Sequence, residues 1–154
     1  MVKFYLDRKD FNEFDSDIFG LRIQELNDAF LLTMSESSDI DTLISYFNSE
    51  YKWDNMFEYE DVINRIDSNH ILFILYYINE PIGYVFFEPK TKGEYYLYNL
   101  YVTKIIKRPE NTPEWFVSKV ISALPSDCKK ITCYCEEWHK AAQNIFIKNN
   151  FNKI

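Results

Sequence analysis

The sequence predicts a mixed α/β fold, built as one mostly antiparallel sheet with about four helices on its faces. Two observations carry that prediction. Short runs rich in β-branched and aromatic residues lie close together in the middle of the chain, and apolar residues recur at helical spacing on either side of them. A chain of 154 residues with 47% apolar and 18% aromatic residues can bury one core, so residues 1–154 are read as a single domain.

Four helices are expected. Ile40, Leu43, Ile44 and Phe47 recur at i, i+3, i+4 and i+7, with Ser38 as N-cap and Asp41 three residues on. Tyr59, Val62, Ile63 and Ile66 repeat the spacing, as do Val117, Val120, Ile121 and Leu124 after the pair Thr112-Pro113. The last set is Trp138, Ala141, Ala142, Ile145 and Phe146. Strands are expected over residues 71–78, 82–87, 95–102 and 130–135, with earlier candidates at 21–26 and 30–34. The turns between the first three are short, which calls for antiparallel pairing. The resulting order is β, β, α, α, β, β, β, α, β, α.

Composition excludes several functions. A net charge of −7 argues against a nucleic-acid grip, since Lys104, Lys107 and Arg108 form the one basic cluster. The acidic balance suits a cationic partner or an amine. The longest apolar run, 71–78, is strand-sized, which argues against a membrane span. The first residues, Met1-Val2-Lys3-Phe4, lack a signal-peptide pattern. Cys128, Cys133 and Cys135 form no even disulfide framework, so a reducing, cytoplasmic setting is expected. With only two histidines, far apart in sequence, no zinc site is expected, and the cysteines read as small core hydrophobes.

Four stretches, in order, carry a family resemblance. Phe14-Asp15-Ser16-Asp17-Ile18-Phe19-Gly20 precedes Glu80-Pro81-Ile82-Gly83-Tyr84-Val85-Phe86-Phe87. Tyr96-Leu97-Tyr98-Asn99-Leu100-Tyr101-Val102 follows, then Ala142 and Phe146 spaced ahead of Phe151. This pattern resembles the GNAT superfamily of N-acetyltransferases, and its first stretch is similar to proteins related to TDP-fucosamine acetyltransferase. The resemblance implies acetyl-CoA or another acyl-CoA as co-substrate and a small amine or amino sugar as acceptor. It places Leu100, Tyr101 and Val102 along the pantetheine arm. It places Lys107, Arg108, Asn111 and Thr112 at the pyrophosphate, where free N–H groups at a helix start attract anions. His139 and Phe146 fall at the thiol end of the co-substrate.

The chain departs from that family in three ways. Glu110 and Thr112 stand at the loop's glycine positions, and Pro109 and Pro113 each remove a backbone donor. Phe146 occupies the position of the usual tyrosine acid and has no proton to give. The two strands that usually follow the last helix have no counterpart, so either the sheet is short at that edge or a second copy completes it as a homodimer. His139, Tyr98, Tyr101 and Tyr134 are alternative proton donors, and Glu94, Glu136 and Glu137 are alternative general bases. Trp53 lies in a segment that lines the acceptor pocket of the family. Two readings follow: an acyl-CoA-dependent N-acyltransferase, or a catalytically silent GNAT-like protein that binds a partner.

Overall fold

The computed structural model describes residues 1–14, 17–51 and 57–154. Trp53, and Asp15-Ser16 of the first family-like stretch, lie outside the described residues. The elements run β1 (Val2–Asp7), β2 (Leu21–Leu26), α1 (Met34–Glu50), α2 (Tyr59–Asp67), β3 (Ile71–Tyr77), β4 (Glu80–Pro89), β5 (Glu94–Val102), α3 (Thr112–Ala123), β6 (Lys130–Cys135), α4 (Lys140–Lys148) and β7 (Asn152–Lys153). The strands form one seven-stranded sheet in the order β2-β3-β4-β5-β6-β1-β7. Pairing is antiparallel for β2 with β3, β1 with β6 and β1 with β7, and parallel for β5 with β6. This is the expected mixed sheet with four helices.

The chain divides into two compact units. The first comprises Met1–Phe19, Phe87–Tyr98 and Pro109–Ile154. Its least expected element is β1. Val2, Phe4 and Leu6 are buried and alternate with half-buried Lys3, Tyr5 and Asp7, as the period of two in a strand requires. Phe4 stands opposite Cys133, and Leu6 opposite Ile131. Strand β1 lies along β6, and β7, after the last helix, adds two residues beyond β1. Helix α3 buries Trp115, Phe116, Val117, Val120 and Ile121. Its N-cap is Asn111, and Pro113 sits in the first turn, where a missing N–H costs nothing. Helix α4 begins at Lys140, later than expected, and Trp138 is 74% exposed rather than part of its apolar face. Asn150 adopts φ +66°, the left-handed geometry that closes a helix. That turn brings the N–H of Phe151 to the carbonyl of Phe146 at 3.0 Å.

The second unit comprises Gly20–Phe86 and Asn99–Arg108. Residues 30–34 are not a strand. The Asp28 carboxylate accepts from the Phe30 N–H and sets a 3-10 turn at Ala29–Leu31. Thr33 then caps α1 five residues earlier than the Ser38 cap the sequence suggested. Thr33 Oγ1 accepts from the Glu36 N–H at 3.0 Å, and Glu36 accepts from the Thr33 N–H at 2.9 Å. Two donors at the helix start are satisfied reciprocally. The apolar faces fall where the spacing put them, with Ile40, Leu43, Ile44, Val62 and Ile66 all buried. The β3–β4 hairpin turns on Ile78 and Asn79, both at positive φ, as a two-residue turn between twisted strands requires. The space among Ile44, Phe57 and Tyr84 has a volume of about 10 Å³, room for no more than one water.

Candidate functional site

Strand β5 changes character at Asn99. It pairs with β6 through Glu94, Tyr95 and Tyr96 against Lys130, Ile131 and Thr132. Asn99 then takes φ +51° inside the strand, a conformation that bends a strand and re-aims the side chains after it. Before the bend, Tyr95 and Leu97 are buried in the first unit, and the Tyr95 hydroxyl donates to Asp127 at 2.9 Å. Burial, with that carboxylate beside it, pushes the Tyr95 phenol up to about 12. After the bend, Tyr101 is buried in the second unit.

Tyr101 stands in a group of rings. Its centroid lies 5.3 Å from Phe47, 5.2 Å from Tyr84 and 6.2 Å from Tyr51. Phe57 and Phe86 extend the group, and the Arg65 guanidinium stands 4.9 and 4.6 Å from their centroids. Tyr101 is 4% exposed, and among the described residues its hydroxyl has no hydrogen-bond partner. Burial raises its pKa first. The neighbouring Thr103 hydroxyl works against that rise, and the Glu50 carboxylate adds to it. Tyr84 is raised in the same direction, by burial and then by Tyr101.

Past the strand, Thr103 is the anchor. It is fully buried, its N–H donates to Ile82 at 2.7 Å, and its hydroxyl donates to Glu50 Oε1 at 2.6 Å. The same carboxylate oxygen accepts from the Lys104 N–H at 2.9 Å. The end of α1 is thus tied to the end of β5. Glu50, Thr103, Phe47, Tyr51 and Tyr84 were not among the residues singled out from the sequence.

Other expected site residues fall as follows. Leu100 and Val102 are half-buried. Lys107 is exposed, and Arg108 Nη1 donates to the Thr103 carbonyl. In the first unit, Asn111 is left-handed and exposed, and its carbonyl receives the Trp115 N–H. Thr112 is fully buried, with its hydroxyl donating to Pro109 at 2.6 Å. Its side chain is therefore already engaged. His139 caps α4: Nδ1 accepts from the Ala142 N–H at 3.0 Å, which assigns the ring proton of the neutral form to Nε2. Phe146 is 3% exposed and packs 5.7 Å from Phe4 and 5.3 Å from Phe151. Glu94 is half-buried opposite Lys130, and Tyr134 is 44% exposed with Lys3 over its ring. The carbonyls of Glu136 and Glu137 accept from Gln143 Nε2. All three cysteines are free thiols. Among the described residues, no group of three or more metal-binding side chains occurs, and no helix is long and apolar enough to cross a membrane.

No family model matches the sequence, and no curated protein sequence matches it. Solved structures do match in fold. A GNAT-family acetyltransferase from Bacillus cereus aligns with a TM-score of 0.65 and 17% identity, over 86% of this chain and 82% of that one. An aminoglycoside acetyltransferase from an uncultured soil metagenomic sample aligns with a TM-score of 0.64 and 14% identity, over 84% and 87%. A functionally unknown conserved protein from Staphylococcus epidermidis gives 0.64 and 11%, and there the chain spans 99% of itself but 57% of that protein. Sheet order, helix placement and these likenesses agree: the chain has the GNAT acetyltransferase fold.

Proposed function

We propose that the protein is an acyl-CoA-dependent N-acyltransferase that acts on a small amine. The observation that carries this is the bend of β5 at Asn99. It follows three paired residues at the β5–β6 step, and it precedes the segment 100–102 to which the family resemblance assigns the pantetheine arm. A left-handed residue inside a strand interrupts the regular ladder, and a backbone group without a ladder partner suits an extended amide chain. Exposed Lys107 offers a cation to a phosphate. The three free thiols suit a reducing compartment.

A second reading is favoured by specific residues. The Thr112 hydroxyl is engaged, Pro113 lacks an N–H, and Phe146 is core. These suit a GNAT-fold protein that has lost turnover and acts through a partner. The assay that separates the readings follows free thiol release from acetyl-CoA in the presence of a panel of primary amines. Amine-dependent release supports the first reading. An acetyl-CoA signal indistinguishable from a protein-free blank, for every amine, rejects it.

A further inference from the structure

The ring group of the second unit ends in two polar groups that the packing alone does not use, flanked by two further rings. The Tyr101 hydroxyl is buried and has no hydrogen-bond partner among the described residues. A buried phenol left this way loses its water bonds and gains nothing in return, so native structures seldom keep one without cause. The Glu50 carboxylate acts on that hydroxyl and is held by Thr103 and the Lys104 N–H. Neither of those donors carries a formal charge, and no cationic side chain pairs with this carboxylate among the described residues. Phe47 and Tyr51 flank Tyr101, their centroids 5.0 Å from each other.

These groups match one chemistry. An ammonium donates in several directions, is drawn to the faces of aromatic rings and is neutralised by a carboxylate. The ring group already seats one cation, since the Arg65 guanidinium stands over Phe57 and Phe86. We propose that Glu50, the Tyr101 hydroxyl and the rings of Phe47 and Tyr51 form the seat of the acceptor's ammonium, and that this seat selects an amine on an apolar or aromatic body over an amino sugar. The selection follows from the walls: a polyhydroxylated ring placed against phenyl faces leaves its hydroxyls without partners. Tyr51, at the C-cap of α1 and 40% exposed, is the wall of this seat that faces solvent. The inference rests on the acyl-transfer reading for its meaning, but the binding it describes is measured without turnover.

The test is calorimetric titration of the whole chain at neutral pH with phenethylamine, phenethyl alcohol and glucosamine, each with and without CoA. Phenethylamine is expected to bind saturably, and more than about tenfold tighter than either of the others. Glu50→Gln is expected to weaken phenethylamine by about tenfold or more, and Tyr101→Phe by roughly threefold to tenfold. Tyr101→Phe removes only an unpartnered hydroxyl, so its melting temperature is expected to stay at or above that of the wild type. This keeps the test readable if Glu50→Gln unfolds. Equal affinity for the amine and the alcohol, no binding of the amine, or an amine affinity untouched by Tyr101→Phe would each overturn the seat. An acetyl-CoA titration on the same preparation separates the two claims. Amine binding without acetyl-CoA binding removes acyl transfer and leaves the seat standing, whereas the reverse removes the seat alone.

Discussion

Phe4→Ala is expected to lower unfolding free energy by about 4 kcal/mol, the largest single loss anticipated in this chain. Phe4 is fully buried, faces Cys133 across the β1–β6 ladder and packs against Phe146, which in turn packs against Phe151. Removing the ring opens a cavity under α4 and loosens the strand that covers the edge of β6. Urea unfolding followed by circular dichroism should show a lower midpoint with an unchanged slope. A loss below about 1 kcal/mol would mean that β1 is not part of the folded core.

Gly83→Ala is the second large effect. A Cβ at Gly83 would lie 2.6 Å from the Tyr101 carbonyl oxygen and 3.2 Å from Val102 Cγ2. The nearer atom is backbone in an adjacent strand, so β5 must move. A cost of about 2–3 kcal/mol is expected for this overpacking. The displaced segment is the one that carries Tyr101, so ligand binding should weaken along with stability. Thermal melting is expected to fall by roughly 4–12 °C. An unchanged melting temperature would show that β4 and β5 are not in this close approach. The glycine of the Pro81-Ile82-Gly83-Tyr84 stretch thus has a mechanical reason: its neighbour's backbone fills the place of a side chain.

Much of the fold was legible because burial follows period. Strands at 21–26, 71–77, 94–102 and 130–135, and the faces of α1 and α2, appear where alternation and helical spacing put them. The alternation of Val2, Phe4 and Leu6 is equally plain, but a single short strand at a chain end carries no local sign of its partner, and β6 lies near the opposite end of the chain. Residues 30–34 misled for the opposite reason. They are apolar, yet Phe30, Leu31 and Met34 are 96%, 75% and 91% exposed, because Asp28 and Thr33 set a turn and a helix cap through local hydrogen bonds.

The candidate site was legible only in part. Tyr101 stood out from its strand, but Glu50 and Thr103 are 53 positions apart and meet only in the folded chain. The resemblance gave Thr112 a ligand-binding part, and its hydroxyl turns back to Pro109 within its own loop. The resemblance makes His139 a donor candidate; its Nδ1 accepts from the helix it caps, which leaves the ring proton on Nε2. Such engagements depend on rotamers and on loop geometry, which residue type and spacing do not specify.

The central claim is that this GNAT fold serves an acyl-CoA-dependent reaction, and titration calorimetry with acetyl-CoA addresses it most directly. Saturable binding in the micromolar range is expected, with a melting temperature that climbs as acetyl-CoA is raised above its Kd. No heat of binding and no thermal shift at millimolar acetyl-CoA would contradict it.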